Sequence, residues 1–214
     1  AVMLDPSLPF YAAIFGTMKR GAIAVPLFTL FGPDGVRLRV EDCAPKILLT
    51  SADKRAIAQD IPGLRTIAAD AALLAALQPF PTAYAAATRA EDMAIFQYTS
   101  GTTRELPAAV KHSHQAIVVL MIAALYGTGI RPGDVFFCPS SPAWGHGLAH
   151  GTLAPLALGV TIGTYAGKFD PVRLMRALQD YGVTNLSAAA THYRMMRSSG
   201  QASGFRFATR KLSY

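Results

Sequence analysis

Short apolar runs of the kind that form buried strands alternate with longer segments of helical periodicity along the chain. The strand-like runs cover residues 22–27, 46–50, 64–68, 93–99, 134–138, 160–165 and 183–187. The helical segments cover residues 10–18, 33–42, 51–60, 70–77, 114–126, 147–158, 170–180 and 191–197. Strands that are separated by helices of this length pair in parallel through right-handed crossovers. The alternation therefore predicts an α/β fold with mainly parallel sheets.

One segment, residues 78–92, breaks this alternation. It is rich in Pro, Ala and Thr and shows no clean period, which is typical of a linker. We therefore predict two lobes, over about residues 1–78 and 93–214, joined by a linker over about residues 79–92. Because the chain both opens and closes on a strand-like fragment, we also expect it to be a piece of a larger protein.

The composition restricts the classes of protein to which the chain can belong. A hydrophobic content of 51% in 214 residues supports a sizeable core and excludes a disordered chain. No apolar run reaches the ~18–20 residues of a membrane span. The two cysteines, Cys43 and Cys138, fit a reducing compartment, and we predict the cytoplasm. The net charge of +7 comes without a basic run interleaved with aromatic residues, so we predict no nucleic-acid partner.

A hydroxyl-rich cluster directly follows the apolar run that begins at Met93. Built around one glycine, the cluster consists of Thr99, Ser100, Gly101, Thr102 and Thr103. Glycine allows a sharp turn and a close approach of the backbone to a ligand, and hydroxyl and backbone N–H groups can surround phosphate oxygens. The cluster therefore predicts a phosphate-binding loop, with an ordinary Ser/Thr turn as the alternative.

Two better-known phosphate motifs are missing from the sequence. The Walker pattern fails at residues 163–168, which are one residue short and are followed by Phe169, and no Gly-x-Gly-x-x-Gly follows a strand-like run. Both failures argue against a P-loop NTPase and against a nicotinamide-dependent dehydrogenase.

Histidine and serine patterns give no further catalytic or metal site. His146 and His150 have the spacing of two ligands on one helical face, but no third ligand is indicated, and Gly147 stands where a zinc protease has glutamate. We therefore predict no metal site. Ser113 lacks the Gly-x-Ser-x-Gly elbow of a nucleophile, so no catalytic residue is assigned within the chain.

The run from Tyr98 to Thr103, followed by Pro107, Val110 and a His-x-His pair that ends at His114, closely resembles the phosphate loop of the adenylate-forming (AMP-binding) acyl-CoA synthetases, a family of carboxylate–CoA ligases. The resemblance extends to segments 2–26, 139–159 and 183–196. It implies the fold of the large N-terminal domain of these enzymes, with stacked, doubly wound α/β lobes, here incomplete.

The resemblance also implies a reaction in two steps. A carboxylic acid attacks ATP to form an acyl-adenylate and pyrophosphate, and the thiol of CoA then displaces AMP. ATP, Mg²⁺ and CoA are the implied cofactors and co-substrates, and the C-terminal remainder of the enzyme is an implied partner because it carries the adenine- and ribose-binding motifs and a lysine. We accordingly expect no ligase turnover from this chain alone.

The resemblance assigns roles to particular residues. It implies that the hydroxyl-rich cluster, residues 99–103, binds the phosphates of ATP and that His112 and His114 brace this loop. The family's glycine after the cluster is replaced by Arg104, and its loop lysine is missing, so Arg104 or Lys111 would supply the positive charge.

The resemblance further implies an acyl-substrate pocket lined by Trp144, Gly145 and His146, with a tryptophan buried in the core as the alternative. The segment around Trp144 is similar both to synthetases of short acids and to ligases of aryl acids, so the acid is left open. Two other functions are also open: an adenylation domain that loads a carrier protein, and a degenerate nucleotide-binding scaffold without catalysis.

Overall fold

The computed structural model describes residues 1–98 and 108–214. The chain divides into two compact units, residues 1–114 and 115–214. The segment predicted to be a linker, residues 79–92, contains no helix or strand, and it lies inside the first unit. The unit boundary therefore differs from the predicted lobe boundary, because the strand that follows the segment is hydrogen-bonded to the first unit near Ala24. The division of the intact domain into lobes stays a prediction.

The first unit contains a parallel sheet and an antiparallel strand pair. The sheet has the order β1-β2-β3 and consists of β1 (Val2–Met3), β2 (Ile47–Thr50) and β3 (Arg65–Ala68). The antiparallel pair consists of β4 (Met93–Tyr98) and β5 (Ala109–Ser113). The helices are α1 (Leu8–Lys19), α2 (Pro33–Cys43), α3 (Ala71–Leu77) and a 3-10 helix (Ala52–Ala58). The parallel sheet agrees with the prediction, whereas the antiparallel pair was not predicted.

Local sequence signals determine where the first helices begin. The side chain of Ser7 accepts a hydrogen bond from the backbone N–H of Phe10 at the start of α1, and Asp70 does the same for Leu73 at the start of α3. Such caps satisfy backbone donors that the first turn of a helix leaves free. Along α1 the buried side chains follow the helical period and face the core.

The second unit is built on one parallel sheet with the order β7-β6-β8-β9. Its strands are β6 (Val135–Cys138), β7 (Thr161–Thr164), β8 (Asn185–Ser187) and β9 (Lys211–Ser213). Its helices are α4 (His114–Ala123, which begins at the end of the first unit), α5 (Gly145–Leu148), α6 (Ala154–Ala157), α7 (Pro171–Asp180) and α8 (Ala190–Ser198). Two π-helical turns (Ala124–Thr128 and Ala149–Leu153) and a 3-10 turn (Ala202–Gly204) complete it.

The strand order of the second unit reverses at β6. The chain passes from β6 to β7 on one side, and β8 then pairs with β6 on the other side. The carboxyl ends of β6 and β8, at Cys138 and Ser187, are therefore neighbours at one edge of the sheet. In open α/β sheets this is the topological switch point, where ligands bind.

The opposite edge of the sheet is held by a buried carboxylate. Oδ2 of Asp134 is 2.7 Å from Nζ of Lys211, and it also accepts a hydrogen bond from the backbone N–H of Arg131. Burial alone would raise the pKa of Asp134, but the ammonium of Lys211 and the other donors outweigh it and hold this pKa below its usual value. The ion pair thus ties β9 to the start of β6.

In the described part of the chain, no helix has both the length and the apolar character that crossing a bilayer requires.

Candidate functional site

The predicted phosphate loop is connected to two paired strands. Residues 99–104, to which the resemblance assigns the phosphates of ATP, lie outside the described residues. The strands on either side are β4, which ends at Tyr98, and β5, which begins at Ala109, and these two residues are register partners. The pairing brings the two ends of the intervening segment together.

Tyr98 fixes the end of β4 to helix α2. Its side chain is 2% exposed, and its hydroxyl donates to Oδ2 of Asp42 at 2.5 Å and is also 3.1 Å from the carbonyl oxygen of Arg39. Burial and the hydrogen bond to Asp42 both raise the pKa of Tyr98, so its hydroxyl remains protonated at neutral pH. The strand that leads into the predicted loop therefore has a defined position.

Lys111 is the predicted phosphate ligand that the structure describes. It lies on β5, where its register partner is Phe96, and its Nζ is 5.3 Å from the centroid of the Phe96 ring, which is a cation–π distance. The side chain is exposed. The phosphate role of Lys111 stays a prediction, as does that of Arg104, and so does the bracing of the loop by His112 and His114.

The predicted acyl-pocket residues lie together at the start of α5. Trp144 is the half-buried residue that precedes the helix, Gly145 is its exposed first residue, and His146 follows in its first turn. Nδ1 of His146 is 3.0 Å from Oγ of Ser140, and Nε2 is 2.9 Å from Oγ of Ser187. His146 therefore connects the loop after β6 to the end of β8, at the switch point of the sheet.

Two glycines allow α5 and the following π-helical turn to approach the end of β6 this closely. A Cβ added at Gly147 would lie 2.1 Å from the carbonyl oxygen of Ser141 and 2.5 Å from that of Ser140. A Cβ at Gly151 would lie 2.8 Å from Sγ of Cys138. Because real Cβ atoms essentially never come within 3.0 Å of such neighbours, only glycine fits at these two positions without movement. The same close packing places the ring of His146 between the two serines.

Two more histidines lie beside His146. The ring centroids of His146 and His150 are 5.8 Å apart, and His192, at the start of α8, is 4.6 Å from the ring of Phe169. Burial lowers the pKa of all three histidines, and the neighbouring rings of His150 and His192 add to the effect at His146. At neutral pH the three rings are therefore uncharged.

The three histidines, with Ser140 and Ser187, form a group that we call the histidine cluster. The sequence indicated only part of it. The spacing of His146 and His150 was considered as a metal pattern, whereas the contributions of Ser140, Ser187 and His192 were missed, because only the pairing of β6 with β8 brings these residues together. Within residues 1–98 and 108–214, no group of three or more His, Cys, Asp or Glu side chains is arranged to hold a metal ion.

A separate cleft of about 750 Å³ lies in the first unit. It is bordered by α1, by residues 43–47 and by Phe96. Its lining is mostly apolar and includes neither Lys111 nor any residue of the histidine cluster, so the cleft does not coincide with the described residues of the predicted sites.

Comparisons with known proteins agree on one family. A family model described as "AMP-binding enzyme" matches residues 1–213. The 3-hydroxybenzoate–CoA ligase of Aromatoleum sp. (strain CIB) is 31% identical over 95% of this chain and 42% of the ligase. The acetyl-coenzyme A synthetase of Bacillus subtilis (strain 168) is 26% identical over 93% of this chain and 37% of the synthetase. The crystal structure of an acyl-CoA synthetase from Brucella canis matches with a TM-score of 0.85 and 26% identity, over 94% of this chain and 39% of that structure.

The chain spans about two fifths of the length of these relatives. Over that span the fold agrees, and the predicted α/β class with mainly parallel sheets is confirmed. Since the family model covers almost the whole chain, and the curated relatives are acid–CoA ligases, the resemblance stated from the sequence is confirmed. The chain belongs to the family of AMP-binding enzymes.

Proposed function

We propose that the full-length protein that contains this chain is an acid–CoA ligase. An oxygen of the carboxylate attacks the α-phosphorus of ATP, which forms the acyl-adenylate and releases pyrophosphate. The sulfur of CoA then attacks the acyl carbonyl, forms the thioester and releases AMP. The observation that carries this proposal is the match of the family over residues 1–213, which includes the sequence from Tyr98 to Thr103.

The proposed phosphate site lies in the segment between β4 and β5. Thr99, Ser100, Gly101, Thr102 and Thr103 hold the phosphates of ATP, which enters as its Mg²⁺ complex. Fixed donors stabilise the charge that spreads over phosphate oxygens during transfer. The family's loop lysine is absent, so Arg104 or Lys111 supplies the positive charge. The anchoring of Tyr98 to Asp42 supports a loop with a fixed entry strand.

The proposed acyl pocket lies at the carboxyl ends of β6 and β8, beside Trp144, Gly145 and His146. Flat rings gather there, since His146 is close to His150, and His192 lies against Phe169. Planar walls suit an aromatic acid, and the 3-hydroxybenzoate ligase is more similar to this chain than the acetyl-coenzyme A synthetase, at 31% against 26% identity. We therefore propose an aromatic carboxylic acid as the substrate.

One feature of the sequence favours a second candidate function. Residues 107–109 read Pro-Ala-Ala where the family has Pro-Lys-Gly. A protein without the loop lysine can still bind a nucleotide and have lost catalysis. This second candidate is a nucleotide-binding scaffold.

Acid-dependent exchange of labelled pyrophosphate into ATP by the full-length protein tests the proposal. Benzoate, 3-hydroxybenzoate, 4-hydroxybenzoate and acetate are compared, and products are then assayed with CoA and with a pantetheine-bearing carrier protein. A ligase exchanges pyrophosphate with an aromatic acid and forms the CoA thioester. Transfer to the carrier alone would identify an adenylation domain, and ATP binding without exchange for any acid would identify a scaffold.

Two variants test the origin of the positive charge. Arg104→Ala and Lys111→Ala are compared in the same exchange assay at varied ATP concentrations. Loss of a charge-assisted contact to phosphate, about 1.5–3 kcal/mol, raises the KM for ATP about 10- to 100-fold in the variant that lacks the operative cation. An unchanged KM in both variants would contradict a phosphate role for either residue. The chain of residues 1–214 by itself is expected to give no exchange.

A further inference from the structure

The histidine cluster at the switch point contains one satisfied ring and two rings with an unsatisfied atom. Both ring nitrogens of His146 have a serine hydroxyl within hydrogen-bond distance, Ser140 on one side and Ser187 on the other. A neutral imidazole has one donor and one acceptor nitrogen, and a hydroxyl can match either. His146 therefore has no hydrogen-bonding capacity left for a ligand, and its role is to hold the cluster in place.

His150 and His192 differ from His146 in this respect. Among the described residues, buried Nδ1 of His150 and buried Nδ1 of His192 have no hydrogen-bond partner. Folded proteins leave few buried polar atoms unpaired, and each exception requires an explanation such as a ligand or a water molecule. Both residues are neighbours of His146, since the ring of His150 lies 5.8 Å from its ring and His192 contributes to the lowering of its pKa. Unpaired atoms on two neighbours of one ring, at the edge where α/β sheets bind their ligands, point to a ligand.

The chemistry of the cluster restricts which group can bind there. The three rings are uncharged at neutral pH, because burial disfavours the imidazolium form. An anion is therefore not favoured by charge. Each Nδ1 is either a donor or an acceptor, depending on the tautomer. A hydroxyl group, which both donates and accepts, satisfies either form.

We propose that His150 and His192 form a polar subsite that recognises a hydroxyl substituent on the ring of an aromatic acid substrate. This inference rests on the proposed function. It assigns a role in specificity to two residues that belong neither to the proposed phosphate loop nor to the proposed acyl-pocket residues Trp144, Gly145 and His146. A pocket that is built to hydrogen-bond a substrate hydroxyl discriminates strongly against the analogue that lacks it, because its own polar atoms then stay unpaired.

The test compares hydroxylated and plain aromatic acids in pyrophosphate exchange by the full-length protein. Kinetic constants are measured for 3-hydroxybenzoate, 4-hydroxybenzoate and benzoate. The wild-type protein is expected to prefer one hydroxybenzoate over benzoate by about tenfold or more in kcat/KM. The position of the hydroxyl in the preferred acid then reports where the subsite lies relative to the carboxylate.

Two pairs of variants separate recognition from structural support. His150→Phe and His192→Phe keep a ring and remove both nitrogens, and each is expected to reduce the preference about tenfold, mainly through the KM of the hydroxylated acid. His150→Asn and His192→Asn keep a polar atom near the position of Nδ1, and they are expected to retain more of the preference than the phenylalanine variants. Tyr181→Phe, a change at a 71% exposed ring of the same unit, serves as the matched control and should leave all constants unchanged.

Each outcome either supports or overturns the proposed hydroxyl subsite. A preference that falls in the phenylalanine variants and is retained in the asparagine variants supports the subsite. An equal loss for benzoate and for the hydroxybenzoates would mean that the histidines only support the fold. Efficient exchange with benzoate and no preference in the wild type would overturn the inference and leave the proposed function intact. The absence of exchange with every acid, or exchange with acetate alone, would overturn the inference together with the proposed aromatic-acid ligase.

Discussion

Replacement of Gly147 by alanine tests whether the close packing of α5 on the end of β6 positions the candidate acyl pocket. The added Cβ would meet the carbonyl oxygens of Ser141 and Ser140 at 2.1 and 2.5 Å. A tolerable separation of 3.0 Å requires a shift of about 1 Å. Both opposing atoms are backbone atoms, so the shift cannot be absorbed by a side-chain rotation, and either the helix or the loop must move.

The shift has two consequences of different size. Overpacking of this kind costs about 1–3 kcal/mol and lowers the Tm of the full-length protein. His146 is the residue before Gly147, and its contacts of 3.0 and 2.9 Å to the two serines would be lost with a displacement of this size. A misplacement of about 1 Å can reduce a rate about 100-fold. We therefore expect kcat/KM for the acid to fall about 10- to 100-fold, with a smaller change in the KM for ATP.

Thermal unfolding and acid-dependent pyrophosphate exchange of the full-length protein measure these two effects. The matched control is Gly16→Ala in α1, where an added Cβ meets no atom of the described residues within 4 Å. Because alanine is the better helix former by up to about 1 kcal/mol, this control should be neutral or stabilising and should not alter exchange. A Gly147→Ala protein with wild-type Tm and wild-type kcat/KM would refute the argument that the glycine is required for close packing.

Three further predictions concern the titratable groups of the second unit. Asp134→Asn should destabilise the protein by about 1–3 kcal/mol near pH 7. Because the pKa of Asp134 is lowered on folding, the stability difference between wild type and variant should be present above the unfolded pKa of about 4 and should shrink as the pH falls through the folded pKa. Denaturant titrations at several pH values measure it. Burial raises the pKa of both cysteines, that of Cys138 to about 11, but Cys138 is buried and Cys43 only half-buried. A thiol reagent near pH 7.5 should therefore label Cys43 well before Cys138, and equal native-state rates would contradict this. Burial lowers the pKa of His150, so the unfolded chain takes up more protons below about pH 6.5 and stability should fall on acidification; His150→Phe should reduce that dependence, and an unchanged pH profile of Tm would contradict it.

The positions of two helices follow from local sequence signals, and they were accordingly predictable. The helix predicted over 170–180 is observed over Pro171–Asp180, with the side chain of Asp170 accepting a hydrogen bond from the backbone N–H of Arg173 at 2.8 Å. The helix predicted over 33–42 is observed over Pro33–Cys43. A capping side chain, a proline in the first turn and an apolar stripe are all visible in the sequence, and neighbouring elements do not override them here.

Elements whose form depends on tertiary hydrogen bonds were predicted less well. The run 22–27 was expected as a strand, but it forms only isolated bridges, one between Val2 and Pro26 and one between Ala24 and Ile95. Proline has no N–H to donate to a ladder. The extended backbone of this run therefore joins β1 to β4 without becoming a regular strand of either sheet.

The prediction of one continuous helix over 147–158 is wrong. The helix is divided by a π-helical turn, Ala149–Leu153, and resumes at Ala154. The hydroxyl of Thr152 donates to the carbonyl oxygen of Gly147 at 2.9 Å, and Pro155 provides no N–H for the regular hydrogen-bond ladder. Both features favour a locally wider turn. The sequence shows the proline, but the competing hydroxyl becomes evident only in the structure.

The two candidate sites also differ in how far the sequence alone could predict them. The phosphate loop was predicted because its hydroxyl groups and its glycine are consecutive, so that one local motif contains most of the chemistry. The histidine cluster depends on strand order: β8 pairs with β6 only because the chain crosses back after β7, and this crossing brings Ser187 and His192 to helix α5, which carries His146. A chain with the same composition but with β8 beside β7 would keep the phosphate motif and lose the cluster. The proposed specificity for the acid would therefore depend on the sheet topology, whereas the proposed binding of the nucleotide phosphates would depend on the local sequence.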